Sequence, residues 1–212
     1  MTLKALLAGA ALAAVTTFAG VSAHADVLYD NHGPSSHTVN AWTIDAGYEV
    51  SDSFTLAQAS TLTGASFDGW NYRDETATSV DWTILDASPE FGGTALYSGT
   101  GALTATSTGD VGFGFYPIDT YAFALPSISL GAGTYWLKLA NAQGASITYW
   151  DQSDGASASF HSTEGEIASH TFTVTGTSGA IPEPATWALM LTGFLGAGVV
   201  LRDQRRRAYA AA

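Results

Sequence analysis

Four short runs alternate apolar and polar residues with a period of two, and no other feature constrains the fold of this chain so tightly. Val80-Asp81-Trp82-Thr83-Ile84 puts Val80, Trp82 and Ile84 on one side and Asp81 and Thr83 on the other. Residues 121–125, 134–139 and 171–175 repeat the pattern. Successive side chains of a strand point to opposite faces, so alternation among β-branched and aromatic residues marks half-buried strands. Turn-forming clusters separate these runs: Asn31-His32-Gly33-Pro34, Gly92-Gly93, Gly131-Ala132-Gly133, Asn141-Ala142-Gln143-Gly144 and Ser153-Asp154-Gly155. About ten strands at roughly 8–12-residue spacing predict an all-β domain, an antiparallel β-sandwich of jelly-roll type. No stretch inside it offers a sustained helical stripe.

The two ends follow other rules. Lys4 precedes an uninterrupted apolar stretch over residues 6–15, and Ala23-His24-Ala25 supplies small residues at Ala23 and Ala25 before Asp26. A buried N-terminal helix would need polar positions at helical spacing, and none occur, so residues 1–25 read as a secretory signal cut after Ala25. From Ile181 the composition changes again, which leaves residues 26–180 for one folded domain. Residues 176–180 form the short link to the tail.

Charge narrows the partners. Only Glu183 and Asp203 of the 19 acids lie in the tail, and only Arg73 and Lys138 of the seven bases lie within 26–180. The domain therefore carries 17 acids against two bases, a formal charge of −15. Such a surface repels phosphate backbones and excludes nucleic acid, leaving cations, neutral polymers such as glycans, or basic surfaces. The chain has no cysteine, which rules out thiol catalysis, disulfides and thiolate-bound metal.

The tail runs Pro182-Glu183-Pro184-Ala185-Thr186-Trp187, then Ala188 to Leu201 without a charge, then Arg202, Asp203, Gln204, Arg205, Arg206 and Arg207. Two prolines around a carboxylate cannot enter a strand ladder, so this segment is extended and easily gripped. Residues 187–201 form a single transmembrane helix about 22 Å long at 1.5 Å per residue, short against a hydrocarbon layer of about 30 Å. Arginines beside that helix stay cytoplasmic, so Arg202, Arg205, Arg206 and Arg207 act as a membrane stop with the domain outside.

A proline–glutamate–proline motif, a short glycine-rich apolar helix and a terminal arginine cluster resemble the PEP-CTERM protein-sorting signal. Trp187-Ala188 matches its PEPxxWA subtype, and the resemblance covers residues 181–207. Asp203 interrupts the basic cluster and residues 208–212 extend past it. The resemblance implies recognition of Pro182, Glu183, Pro184, Trp187 and Ala188 by exosortase, a membrane cysteine transpeptidase of Gram-negative bacteria that make exopolysaccharide. It implies an exported protein, first anchored in the inner membrane and then placed at the cell surface or in the extracellular matrix after processing.

For the domain itself no catalytic motif appears: no Gly-x-Ser-x-Gly, no His-Glu-x-x-His and no phosphate loop. No enzymatic activity and no cofactor are expected, although 17 acids leave room for the paired carboxylates of a glycoside hydrolase. His161 and His170 sit among serines and threonines and read as surface residues. Residues 68–74 and 149–152 mix aromatics with polar groups, which makes Trp70, Tyr72 and Trp150 candidates for glycan contact by ring stacking. The opposing reading is that Trp70 and Trp150 fill the core. Asp151-Gln152-Ser153-Asp154-Gly155 offers turn oxygens, but Asp-Gly turns are common without metal, and no metal site is assigned. Thr104/Thr106/Thr108 and Thr171/Thr173/Thr175 raise an ice-binding array, for which two short runs are few.

Overall fold

The computed structural model describes residues 25–32, 40–73, 75–179, 190–198 and 201–202. Thirteen strands occur among them. In chain order they are β1 (Asp26–Asp30), β2 (Ala41–Thr43), β3 (Glu49–Leu56), β4 (Ser60–Asn71), β5 (Ser79–Leu85), β6 (Ala95–Ala102) and β7 (Thr104–Gly112). There follow β8 (Tyr116–Leu130), β9 (Gly133–Gln143), β10 (Thr148–Asp151), β11 (Ser159–His161), β12 (Gly165–Ile167) and β13 (Phe172–Ser178).

All registered pairs are antiparallel, in two sheets. The first is built on β4, which pairs along one edge with β13 and then β10 and along the other with β8. β1 flanks β13, β2 flanks β10 and β7 flanks β8. The second sheet has the order β12-β11-β3-β9-β5-β6. The chain passes repeatedly between sheets, as from β3 to β4, β6 to β7 and β8 to β9, so inward positions of both meet in one core. Leu62, Phe67, Tyr121, Phe123, Trp150, Phe172 and Val174 come from the first sheet; Val50, Phe54, Val80, Trp82, Ile84, Leu137 and Leu139 come from the second. Each such side chain contributes about 1.5–3 kcal/mol on full burial.

All four alternating runs fall on strands with their apolar parity inward. Strands outnumber the sequence expectation because β2, β11 and β12 are three residues long, too short to show a period. The expected turn over residues 141–144 lies mostly inside β9, which continues through Gln143. Asn141 nonetheless takes a left-handed φ of 50°, a region asparagine tolerates well. The turn chemistry is expressed within the strand instead of ending it.

In the tail, residues 190–198 and 201–202 are helical and exposed. Among the described residues no helix is long and apolar enough to cross a membrane, so a membrane-spanning helix over 187–201 remains an expectation. Residues 1–24, the sorting motif at 182–188 and the arginines at 205–207 lie outside the described residues; Ala25 is exposed just before β1.

Candidate functional site

One end of the first sheet gathers aromatic side chains. Trp70, near the end of β4, pairs with Tyr149 of β10 and Ile118 of β8. Phe67 points into the core, so by strand parity Trp70 lies on the opposite, outward face. It is nevertheless only 1% exposed, because the tip of the β7–β8 hairpin closes over it. Gly112 makes that approach feasible: a Cβ there would lie 2.5 Å from the Trp70 ring. The tip turns with Phe113 at φ 46° and Gly114 at φ 77°, and the Phe115 N–H donates to the Gly112 carbonyl at 3.1 Å.

The covering residues form a continuous set of rings. Phe113 stands edge-on to Trp70 at 5.1 Å between centroids, and Tyr116 stacks on it at 5.9 Å. Tyr116 also meets Phe115 at 4.2 Å, Tyr149 at 5.9 Å and Tyr72 at 6.2 Å. The Arg73 guanidinium sits 5.0 Å above the Tyr72 ring. Phe113 and Phe115 remain 61% and 64% exposed. Trp70, Phe113, Phe115, Tyr116, Tyr149 and Asn40 line a cavity of about 230 Å³ between them. Underneath, the Trp70 indole N–H donates to the buried Asp151 carboxylate at 2.6 Å, which fixes the base ring. Burial pushes the Tyr149 phenol above its ordinary value, with Tyr116, Asp45 and Tyr72 adding to the effect. It therefore stays protonated and able to donate.

Flat rings, a neutral phenol and an amide can bind and orient a ligand; they supply no nucleophile and base in contact. Among the described residues a grouping of serine, histidine and carboxylate lies elsewhere and is sealed. Ser159 Oγ is 2.8 Å from His170 Nδ1, and Asp52 Oδ2 is 3.8 Å from the same nitrogen. All three residues are buried, and burial holds the His170 imidazole below the usual histidine range. A hydrolytic triad needs serine and carboxylate on different ring nitrogens and a serine open to substrate. This grouping instead ties the chain segment before β13 to β3, with the His170 backbone N–H donating to Asp52.

Several sequence assignments are corrected here. Trp150 is 0% exposed and packs against Phe67 and Phe172, its indole N–H donating to the Thr171 carbonyl. It is a core residue and cannot stack on a sugar; the neighbour of opposite parity, Tyr149, reaches the surface cluster. Trp70 supports the cluster from beneath and offers no free face. Tyr72 is half-buried and belongs to the cluster. His161 and His170 are buried, not superficial. The threonine runs form no single array: β4 and β8 separate them, Thr171 is buried, and Thr108 donates to the Ile118 carbonyl. Phe113, Phe115 and Tyr116 escaped the sequence reading, although the run Gly112-Phe113-Gly114-Phe115-Tyr116, with aromatics interleaved among glycines, was the available signal.

A second polar feature lies beside β1. His32 Nδ1 is 2.7 Å from Asp30 and Nε2 is 3.2 Å from the buried Asp68. The hydrogen bond to Asp68 raises the His32 pKa to about 9; burial opposes this, and Asp30 adds to it. A folded-state value above the unfolded 6.5 means that the stabilisation is complete below about pH 6.5 and lost as pH rises through about 9. The ring is a third exposed, so solvent screening limits the loss to about 1 kcal/mol. Urea unfolding between pH 7 and pH 9 should show that decline, and His32→Gln should flatten it.

No model of a known protein family matches this chain, and no curated protein matches it.

Proposed function

We propose that this is an exported, non-catalytic cell-envelope protein whose jelly-roll domain binds neutral glycans through the aromatic cluster of Tyr72, Phe113, Phe115, Tyr116 and Tyr149. The observation that carries this reading is the exposure of Phe113 and Phe115 around a cavity lined by further aromatic rings. Sugar rings present apolar C–H faces to aromatic rings, while a phenol and the Asn40 amide meet their hydroxyls. The formal charge of −15 favours uncharged polymers over acidic ones. A polysaccharide array is the test: retention on neutral polymers supports the reading, and binding only to acidic polymers or to none overturns it.

The tail is read as a sorting signal handled by an exosortase-type transpeptidase, with the domain outside the inner membrane until processing delivers it to the surface or matrix. Its support is the Pro182-Glu183-Pro184 motif followed by an apolar segment. That segment is helical at 190–198 and leaves Met190, Leu191, Phe194 and Leu195 exposed. A plain anchor gains nothing from two prolines around a carboxylate, and Gly193, Gly196 and Gly198 weaken a helix that has to last. Glu183→Ala should leave export intact and block shortening of the chain in a host that has the sorting enzyme. A full-length tail on both variant and wild type would reduce it to an anchor.

A further inference from the structure

Exposed sheet edges invite strand addition, and soluble β proteins blunt them with short strands, charges, proline or bulges. Three edges of this sandwich are treated in that way. β1 is five residues long, begins and ends on aspartate and carries a bulge between Val27 and Tyr29. β2 and β12 have three residues each, and β12 has Glu166 at its centre. The flank made by β6 and β7 is less protected: β6 is eight residues long without charge or proline and is bulged only between Ala95 and Tyr97, while β7 carries a bulge between Ser107 and Val111 and one acid, Asp110. Among the described residues β6 pairs only with β5, and β7 only with β8. Residues 91–109 contain no charge and no proline. Leu96 and Tyr97 are each 41% exposed there. Because the two strands follow one another through Leu103, they bring the edges of both sheets to the same side of the sandwich.

We propose that this flank is a self-association surface, where β6 pairs antiparallel with β6 of a second copy of this chain. Charge selects that occupant. Most contacts between two copies bring acid against acid, whereas two-fold pairing along this edge sets uncharged residues opposite each other and covers Leu96 and Tyr97. Beyond the bulge, residues 97–102 pair with β5 in unbroken register, and a glycine-containing run such as Ser98-Gly99-Thr100-Gly101 pairs readily with new neighbours. This inference is independent of the glycan reading.

The test is sedimentation of the full chain in mild detergent over a wide concentration range, combined with hydrogen exchange. Wild type should dimerise, and exchange within residues 95–102 should slow as dimer forms. Ser98→Lys and, separately, Thr100→Lys should weaken the dimer about tenfold or more, since pairing brings the two copies' lysines together. Each substitution also lowers the net negative charge, so a bulk charge effect would strengthen association instead. An unchanged melting temperature confirms that each variant is folded, and either variant suffices. A monomer at every concentration, a dimer indifferent to both lysines, or protection confined to other segments overturns the proposal.

Discussion

Trp150→Ala should lower the stability of the domain by about 3–5 kcal/mol, a third or more of the margin on which a typical domain survives. The indole is fully buried among Phe67, His170 and Phe172, so its removal leaves a cavity that rigid strands on both sides cannot close. It also deprives the buried Thr171 carbonyl of its donor, which adds the cost of an unsatisfied polar group. Trp150→Phe should cost distinctly less, since it keeps most of the ring contacts and gives up only the indole N–H and part of the volume. Tyr149→Ala, one residue away and of opposite parity, should be milder still. Urea unfolding followed by tryptophan fluorescence and circular dichroism measures the series. If Trp150→Ala costs under about 1 kcal/mol, the core described here is wrong at its centre.

That contrast between neighbours shows what the sequence could and could not reveal. Alternation exposed the parity of β5, β8, β9 and β13, because large apolar side chains turned inward there alternate with mostly small or polar ones. Residues 149–151 were too few to display a phase, so both Tyr149 and Trp150 were eligible as surface rings until the pairing with Gly69 and Trp70 was known. Trp70 illustrates a different difficulty. Its parity is outward, and what buries it is a hairpin tip more than forty positions away in sequence, a contact no local pattern encodes. His170 was misjudged for a related reason: serine and threonine neighbours suggest solvent, yet here Ser159 meets Nδ1 of the imidazole and Asp52 accepts from the His170 backbone N–H inside the fold.

The same tip carries the binding claim, and its removal should have the second large effect. Tyr116 lies at the centre of the ring set and Phe115 packs against it, and an aromatic anchor in a recognition site is worth about 2 kcal/mol or more. Replacing both with alanine should weaken binding by well over an order of magnitude, since about 1.4 kcal/mol is tenfold. Phe115 is mostly exposed, so the folded state should be only slightly destabilised. Gly112 and Gly114 remain in place to form the turn, and Phe113 continues to cover Trp70.

The most direct measurement is therefore a calorimetric titration of a neutral polysaccharide into the full chain and into Phe115→Ala/Tyr116→Ala, with the unfolding midpoint of each recorded alongside. The account predicts saturable binding by wild type, and at least tenfold weaker binding by a folded double variant. Equal affinity in the two chains would contradict it, as would the absence of binding by wild type to any neutral glycan.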